Sequence, residues 1–292
     1  MGGLGNQMFQ YALGYHLAQK NNTILKVDTT LLTDKSQPHE IVTHRNLEID
    51  IFDIPLNFAT QEEIEYFNGK KYTHPAGKVY NKITRVSRKK NLIIEKGRNF
   101  HPEMLALPDN KCLVGSWQSE KYFTGIESKI RELYAFNKPL SGKPLELGNE
   151  ITKTNSACIH IRRGDYITST LYTKTLGVQN LDYYYRALEL LTSKQAIERV
   201  FVFSDDIEWC KNNLNLSVPV TYMDYTTDGK KYATDMQLMG LCKHFIIANS
   251  TFSWWAAWLA NFTGKMVIAP TNWYKDPALD STDIIPSNWI KI

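Results

Sequence analysis

The sequence predicts an α/β protein, and three observations predict it. From about residue 155 onward short apolar runs alternate with helical spacing. Near the N-terminus a glycine-rich turn opens into a helix. The chain has 292 residues, the size at which single cores stop growing and two domains become favoured, at roughly 250–300 residues. Its composition, 43% hydrophobic and 22% charged, excludes a disordered or fibrous chain.

Taken in order, Gly5–Lys20 reads as the helix after the glycine turn, with Met8, Tyr11, Ala12, Tyr15 and Leu17 forming an apolar face, and Thr23–Asp28 as the following strand. A turn of this kind normally follows a strand, so native residues upstream of Met1 are expected. Residues 38–75 read as mixed and loop-rich, and strands are expected at Leu92–Glu95 and Cys112–Val114. Between them, residues 78–90 carry six Lys and Arg against Val79, Ile83 and Val86. That pattern fits a solvated helix, or a surface touching an anionic membrane or lipid-linked glycan. The turn-rich Lys-Pro-Leu-Ser-Gly-Lys-Pro stretch marks a boundary near 138–155.

In the second half, buried strands are expected at Ser156–Ile161, Val200–Phe203, Val218–Tyr222, Phe245–Ala248 and Met266–Ala269. Helices are expected at Asp182–Leu191 behind an Asp cap, Ile207–Leu214, Thr234–Cys242 and Thr251–Asn261. This alternation predicts a Rossmann-like half whose ligands bind at the carboxyl ends of its strands.

No stretch approaches the roughly 20 apolar residues of a membrane span, and no signal core follows Met1. Cys112, Cys158, Cys210 and Cys242 have no CxxC spacing and read as reduced, mostly buried thiols of a cytosolic protein. A net charge of +4 suits an anionic small substrate and argues against nucleic acid. Tyrosine leads the aromatic residues, 16 against 12 Phe and 7 Trp, and such amphipathic rings suit a wet concave surface as well as a core.

Four segments carry candidate chemistry. Gly2-Gly3-Leu4-Gly5-Asn6-Gln7 lets backbone approach a ligand and offers a helix N-terminus to an anion, but lacks the Gly-Lys-Ser/Thr of a P-loop. A plain structural turn explains it equally well. Next comes Cys158-Ile159-His160-Ile161-Arg162-Arg163-Gly164-Asp165-Tyr166, where an apolar strand delivers a charge-dense cluster to its carboxyl end. Alternation puts His160 and Arg162 on one face, and an arginine there can grip a pyrophosphate and stabilise a departing phosphate. The bland alternative is an Arg–Asp network closing a loop.

After the strand Phe201-Val202-Phe203, Ser204-Asp205-Asp206 either caps the next helix, orients a ligand or binds a divalent cation. Finally, Asn249-Ser250-Thr251-Phe252-Ser253 leads into Trp254, Trp255 and Trp258, a hydroxyl-rich turn and helix N-terminus suited to a phosphate, with the Trp residues packing behind it. Asp235, near a helix start, is a candidate acceptor for ribose hydroxyls or guanine N–H groups, or an ordinary helix residue.

In combination and order these four segments resemble the α-1,2-fucosyltransferase family of bacterial type, inverting enzymes related to the α-1,6- and protein O-fucosyltransferases. The resemblance implies a GT-B-like α/β fold of two Rossmann-like domains facing a cleft: residues 1–150 on the acceptor side, and 151–292 binding GDP-fucose, with a tail returning to the first domain. It implies Arg162 on the pyrophosphate, supported by His160 and Arg163. Asp235 would meet the guanosine, Asn249, Ser250, Thr251 and Ser253 would line the phosphate site with Asp205 nearby, and Asn6 beside Gly5 would reach the donor from the first domain.

The family is metal-independent, so no cofactor and no metal are expected. The partners implied are GDP-fucose and a β-galactoside acceptor glycan in surface-glycan synthesis. The loop Ile167–Leu181, with Tyr166, Tyr172 and Tyr183–Tyr185, is expected to face the acceptor. Asp165 is the carboxylate nearest to a base role, though pairing with Arg163 is its expected task. Animal members carry an N-terminal membrane anchor that this chain lacks, which implies a cytoplasmic enzyme, with the 78–90 segment touching the inner membrane face. A transferase of other linkage, a metal-dependent transferase and a non-catalytic sugar- or nucleotide-binding protein are the competing readings.

Overall fold

In the computed structural model, residues 2–34, 36, 44–68 and 91–292 are described. The basic segment 78–90 lies outside them. The chain divides into two compact units, Met1–Lys35 with Arg45–Tyr134, and Ser36–His44 with Ala135–Ile292.

Unit one opens on helix α1 (Leu4–Lys20), followed by α2 (Thr30–Thr33) and α3 (Gln61–Asn68). Strand β1 (Leu92–Ile94) pairs in parallel with β2 (Cys112–Val114), and α4 (Glu127–Leu133) closes the unit. α1 is buried on more sides than its predicted face, because Phe9 and Leu13 join Met8 and Ala12 at 0% exposure. Three side chains from elsewhere fasten it: Tyr134 donates its hydroxyl to the Met8 carbonyl (2.5 Å), Tyr11 donates to the Pro55 carbonyl (3.0 Å), and His16 contacts the Tyr122 carbonyl (2.7 Å). The strand expected over Thr23–Asp28 is reduced to one parallel bridge, Val27 to Phe58. Alternate residues there are exposed, Ile24 at 68%, so the segment lacks the two buried faces that hold a parallel strand.

Unit two is a six-stranded, all-parallel sheet. Its elements are α5 (Gly142–Lys153), β3 (Ser156–Ile161), α6 (Gly164–Thr168), α7 (Thr170–Thr175), α8 (Leu181–Lys194), β4 (Arg199–Ser204), α9 (Ile207–Asn213), β5 (Val220–Tyr222), α10 (Lys231–Gly240), β6 (His244–Ile246), α11 (Thr251–Leu259), β7 (Val267–Ala269) and β8 (Ile290–Lys291). The sheet order is β5-β4-β3-β6-β7-β8. Counted from β3, this is 3-2-1-4-5-6, the Rossmann order, with the topological switch point between β3 and β6. The C-terminal tail supplies the edge strand β8 beside β7.

The division at Tyr134/Ala135 precedes the turn-rich stretch because α5 belongs to unit two, where Gly148 packs against Leu238 and Leu241. β3 is buried at every position, as a central parallel strand requires. Its Ala157, Ile159 and Ile161 enter a core with Tyr183, Tyr184, Ala187, Leu188 and Leu191 of α8. Cys158 and His160 take the opposite face, where the His160 ring lies 5.8 Å from Phe252. All four cysteines are free thiols, three of them buried.

Asn180, not Asp182, caps α8, accepting from the Tyr183 N–H (2.9 Å). The segment expected to be an acceptor loop contains α6 and α7, and Tyr183 and Tyr184 are buried at 3% and 1% exposure. Tyr183 donates to the carbonyls of Ile247 (2.7 Å) and Ile268 (3.2 Å), and the buried Tyr166 donates to that of Asn249 (2.9 Å), whereas the Tyr184 hydroxyl has no hydrogen-bond partner among the described residues. Tyr166, Tyr183 and Tyr184 therefore pack the sheet, whereas Tyr172 and Tyr185 are half-buried. Trp254, Trp255 and Trp258 are buried as expected; Trp254 stacks on Trp258 and donates to the Ile284 carbonyl (2.6 Å). No described helix is long and apolar enough to cross a membrane.

Candidate active site

Arg162 follows directly on β3, at the carboxyl edge of the sheet beside the switch point. Two carboxylates hold it. Asp165 Oδ1 accepts from Nε (3.0 Å) and lies 2.8 Å from Nη2, and Asp205 Oδ2 forms an ion pair with Nη1 at 3.0 Å. A guanidinium has five N–H groups, so these contacts leave one on each terminal nitrogen. Charged N–H donors of this kind are what arginine offers to a carboxylate or phosphate. Burial alone would lower the pKa of Arg162; Asp205 and Asp165 more than offset this and raise it, so the group stays charged.

Asp205 is held as tightly as the arginine it holds. Its Oδ1 accepts the Arg163 backbone N–H (2.9 Å), which leaves Oδ2 for Arg162. The carboxylate passes so close to Gly164 that a Cβ there would lie 2.6 Å from Oδ2. Only glycine, at the start of α6, admits the contact. Asp206 caps α9 through the Trp209 N–H (3.4 Å) and pairs with Arg163 Nε (3.0 Å). Arg163 also lies over the Trp209 ring, 3.6 Å from its centroid. Asp165 therefore pairs with Arg162 and not with Arg163, since the helical turn of α6 carries it back three residues. Both carboxylates of Asp205-Asp206 are committed to arginines, and no three His, Cys, Asp or Glu side chains cluster as metal ligands among the described residues.

His160 is buried at 4% exposure, and its Nδ1 has no hydrogen-bond partner. Burial, reinforced by the charge of Arg162, pushes its pKa down to about 3, so it is neutral at physiological pH. Across the switch point, Asn249 spans three carbonyls through Nδ2, those of Leu176 (3.0 Å), Gly177 (3.2 Å) and Trp273 (3.0 Å). It is thus a clamp on two loops. Ser250 precedes α11 without a side-chain cap bond, and the first turn, beginning at Thr251, has no acidic residue. The positive end of that helix is uncompensated by a carboxylate of its own. Ser253 is fully buried and donates its hydroxyl back to the Ser250 carbonyl (3.2 Å), so it does not line an open site.

Asp235 sits in the first half of α10 and is taken up by Lys231 (2.9 and 3.0 Å) and by the Tyr225 hydroxyl (2.6 Å). Burial raises its pKa while those two donors pull against the rise. A carboxylate has about four acceptor positions, so three bonds leave room for one more donor.

In unit one the glycine turn has a different local chemistry from that expected. The Leu4 N–H of α1 is already capped by Glu48 Oε2 (2.6 Å), a carboxylate from 44 residues away that occupies the helix N-terminus. Gly5 is buried inside the first turn. Gln7 is structural: its oxygen accepts the N–H groups of Glu48 (2.9 Å) and Ile49 (3.2 Å), and its nitrogen donates to the carbonyls of Gly2 and Asn46. Asn6 Oδ1 accepts from Gln118 Nε2 (2.7 Å).

Sequence reading named the arginine, both aspartates and the hydroxyl turn. It missed Gly164, whose only signal is a glycine between two arginines and an aspartate. It also missed Glu48 and Gln118, for which separation in sequence leaves no local signal, and the Tyr225–Lys231 pair on Asp235, of which only the Lys231 spacing of four residues is local.

Residues 2–292 match Glycosyl transferase family 11. The chain is 34% identical to the Alpha-1,2-colitosyltransferase of Escherichia coli, covering 100% of this chain and 96% of that protein. It is 33% identical to the O-antigen biosynthesis glycosyltransferase WbnK of Escherichia coli, over 100% of this chain and 98% of that protein. Among solved structures it is similar to POFUT1 in complex with GDP-fucose, at 14% identity and a TM-score of 0.42, over 91% of this chain and 95% of that one. With the match running from the glycine turn to the last strand, the chain belongs to glycosyl transferase family 11 and is a glycosyltransferase.

Proposed function

We propose that the protein transfers L-fucose from GDP-fucose, with inversion, to the 2-hydroxyl of a terminal β-galactoside, without a metal ion. The observation that carries this reading is Arg162, locked by Asp165 and Asp205 with one N–H of each terminal nitrogen left over. In the reaction the acceptor oxygen bonds to the fucosyl anomeric carbon as the bond from that carbon to the β-phosphate oxygen breaks. The acceptor proton is released, and GDP departs with the bonding pair. Negative charge grows on the leaving oxygen, where a preorganised guanidinium acts most strongly. The α11 N-terminus with Ser250 and Thr251 supports the phosphates, and Asp235 has room for one nucleoside donor. Asp165 meets Arg162 through Oδ1, and its part in this reading is to hold the arginine.

A second reading concerns the donor sugar, because a 34% identical relative is named a colitosyltransferase. Colitose is fucose without its 3-hydroxyl, so both fit the same nucleotide site. The test is to incubate the protein with GDP-fucose or GDP-colitose and a panel of β-galactosides in EDTA, and to read the product linkage by NMR. An α-1,2-linked fucoside formed in EDTA is the expected result. Turnover only after manganese is added, or with GDP-colitose alone, overturns the first reading in its metal or donor part respectively.

A further inference from the structure

Two residues of unit two hold Asp235. Tyr225 lies in the loop between β5 and α10, and Lys231 is the first residue of α10. Helices α10 and α11 each follow a strand of the parallel sheet, so both begin at its carboxyl edge, and they pack on each other. Asp235, one turn into α10, thus lies towards the same edge as Arg162 and the α11 N-terminus.

The Lys231–Asp235 pair is poorly placed for helix stability. Lys231 puts a cation at the positive end of α10, whose first turn has no acidic residue to offset it. A basic residue four positions before an acidic one is also the weaker order of such a pair. Helix formation therefore does not account for Lys231. Its Nζ instead closes a compact cluster. It donates to both Asp235 oxygens (2.9 and 3.0 Å) and to the Met223 carbonyl just past β5 (3.4 Å), and it lies 4.4 Å from the centroid of the Tyr225 ring. Tyr225 in turn donates its hydroxyl to Asp235 Oδ1 (2.6 Å).

This makes the two carboxylate oxygens unequal. Oδ1 accepts from both Tyr225 and Lys231, which fills its two acceptor positions. Among the described residues Oδ2 accepts from Lys231 alone and keeps one position. The Asp235 side chain is 16% exposed, so it can still be reached.

We infer that Tyr225 and Lys231 are positioning residues that make Asp235 a selector for the purine base, filling Oδ1 and presenting Oδ2 to a single N–H donor. This rests on the nucleoside role of Asp235 in the proposed function. Guanine offers N–H donors at N1 and N2, whereas adenine in the same pose puts an acceptor at N1. An acceptor facing an acceptor leaves both unpaired, which is how a polar site rejects the wrong ligand. Burial favours the neutral acid of Asp235, and the Lys231 charge opposes it.

The test is binding of GDP and of ADP by calorimetry, without turnover. It compares the wild type with Asp235→Asn, Tyr225→Phe, Lys231→Met, Lys231→Arg and the double variant of Lys231→Met with Asp235→Asn, and Tm is read for each. Tyr225→Phe and Lys231→Met are each expected to weaken GDP about tenfold, to leave ADP unchanged and to hold Tm within a few degrees. Lys231→Arg is expected to recover most of the GDP affinity. In the double variant Lys231→Met is expected to add nothing to the loss from Asp235→Asn. If Asp235→Asn weakens GDP selectively and neither Tyr225→Phe nor Lys231→Met does, the positioning role is overturned and the nucleoside role of Asp235 stands. If Asp235→Asn binds GDP as the wild type does, the nucleoside reading falls and the inference with it. Equal losses for GDP and ADP in the single variants overturn base selection.

Discussion

At the scale of single residues, His160 in β3 and Arg162 just past its end have opposite electrostatic fates. Arg162 is kept charged by two carboxylates, while His160, buried against it, is kept neutral with a pKa of about 3. A histidine in an unfolded chain titrates near 6.5. Above pH 6.5 both states are neutral and His160 contributes nothing to pH dependence. As pH falls below 6.5 the unfolded chain takes up a proton that the native state refuses, so stability declines by up to about 1.4 kcal/mol per pH unit down to pH 3. Melting curves from pH 7 to 4 on the wild type and on His160→Gln are expected to differ in slope, the variant being flatter. Parallel curves contradict a neutral buried His160. This part of the site was only half legible in sequence. Alternation along Ile159-His160-Ile161-Arg162 gives the face, but the protonation state depends on burial that no spacing records.

At the scale of elements, the site is a strand end, two helix starts and the loop after β4. The strands of unit two were legible because buried parallel strands are continuous apolar runs bounded by polar turns, as in Ser156–Ile161. The helices α6 and α7 were not. Their Thr- and Tyr-rich sequence has no apolar period, and hydroxyl-to-carbonyl bonds such as those of Thr173 to Tyr166 and Ser169 hold them locally. The start of α6 matters most, because Gly164 lets Asp205 reach Arg162. Gly164→Ala places a methyl 2.6 Å from the Asp205 oxygen and is expected to displace the carboxylate. Overpacking of this sort costs roughly 1–3 kcal/mol, and a misplaced catalytic group loses about 10²-fold in rate. Asp205→Asn, which keeps the volume and loses the charge, is expected to lower kcat while leaving Tm nearly unchanged. If kcat in both variants stays at the wild-type value, Asp205 does not position the arginine.

At the scale of the whole molecule, the family match spans residues 2–292, and unit two has the Rossmann strand order with its switch point at the arginine strand. The ordered set of four short motifs was enough to suggest the family from sequence. The couplings within unit one were less legible, because Glu48 on Leu4, Glu95 on Trp117 and Gln118 on Asn6 join residues 22 to 112 positions apart. The central claim is that the two N–H groups left on Arg162 stabilise the departing GDP. Its most direct test is kcat for Arg162→Ala and Arg162→Lys with GDP-fucose and a β-galactoside at saturation. Removing a preorganised donor predicts a fall of about 10²–10³-fold or more in Arg162→Ala, with only partial recovery in Arg162→Lys, which restores charge without the guanidinium. Near-wild-type turnover in Arg162→Ala would contradict the account.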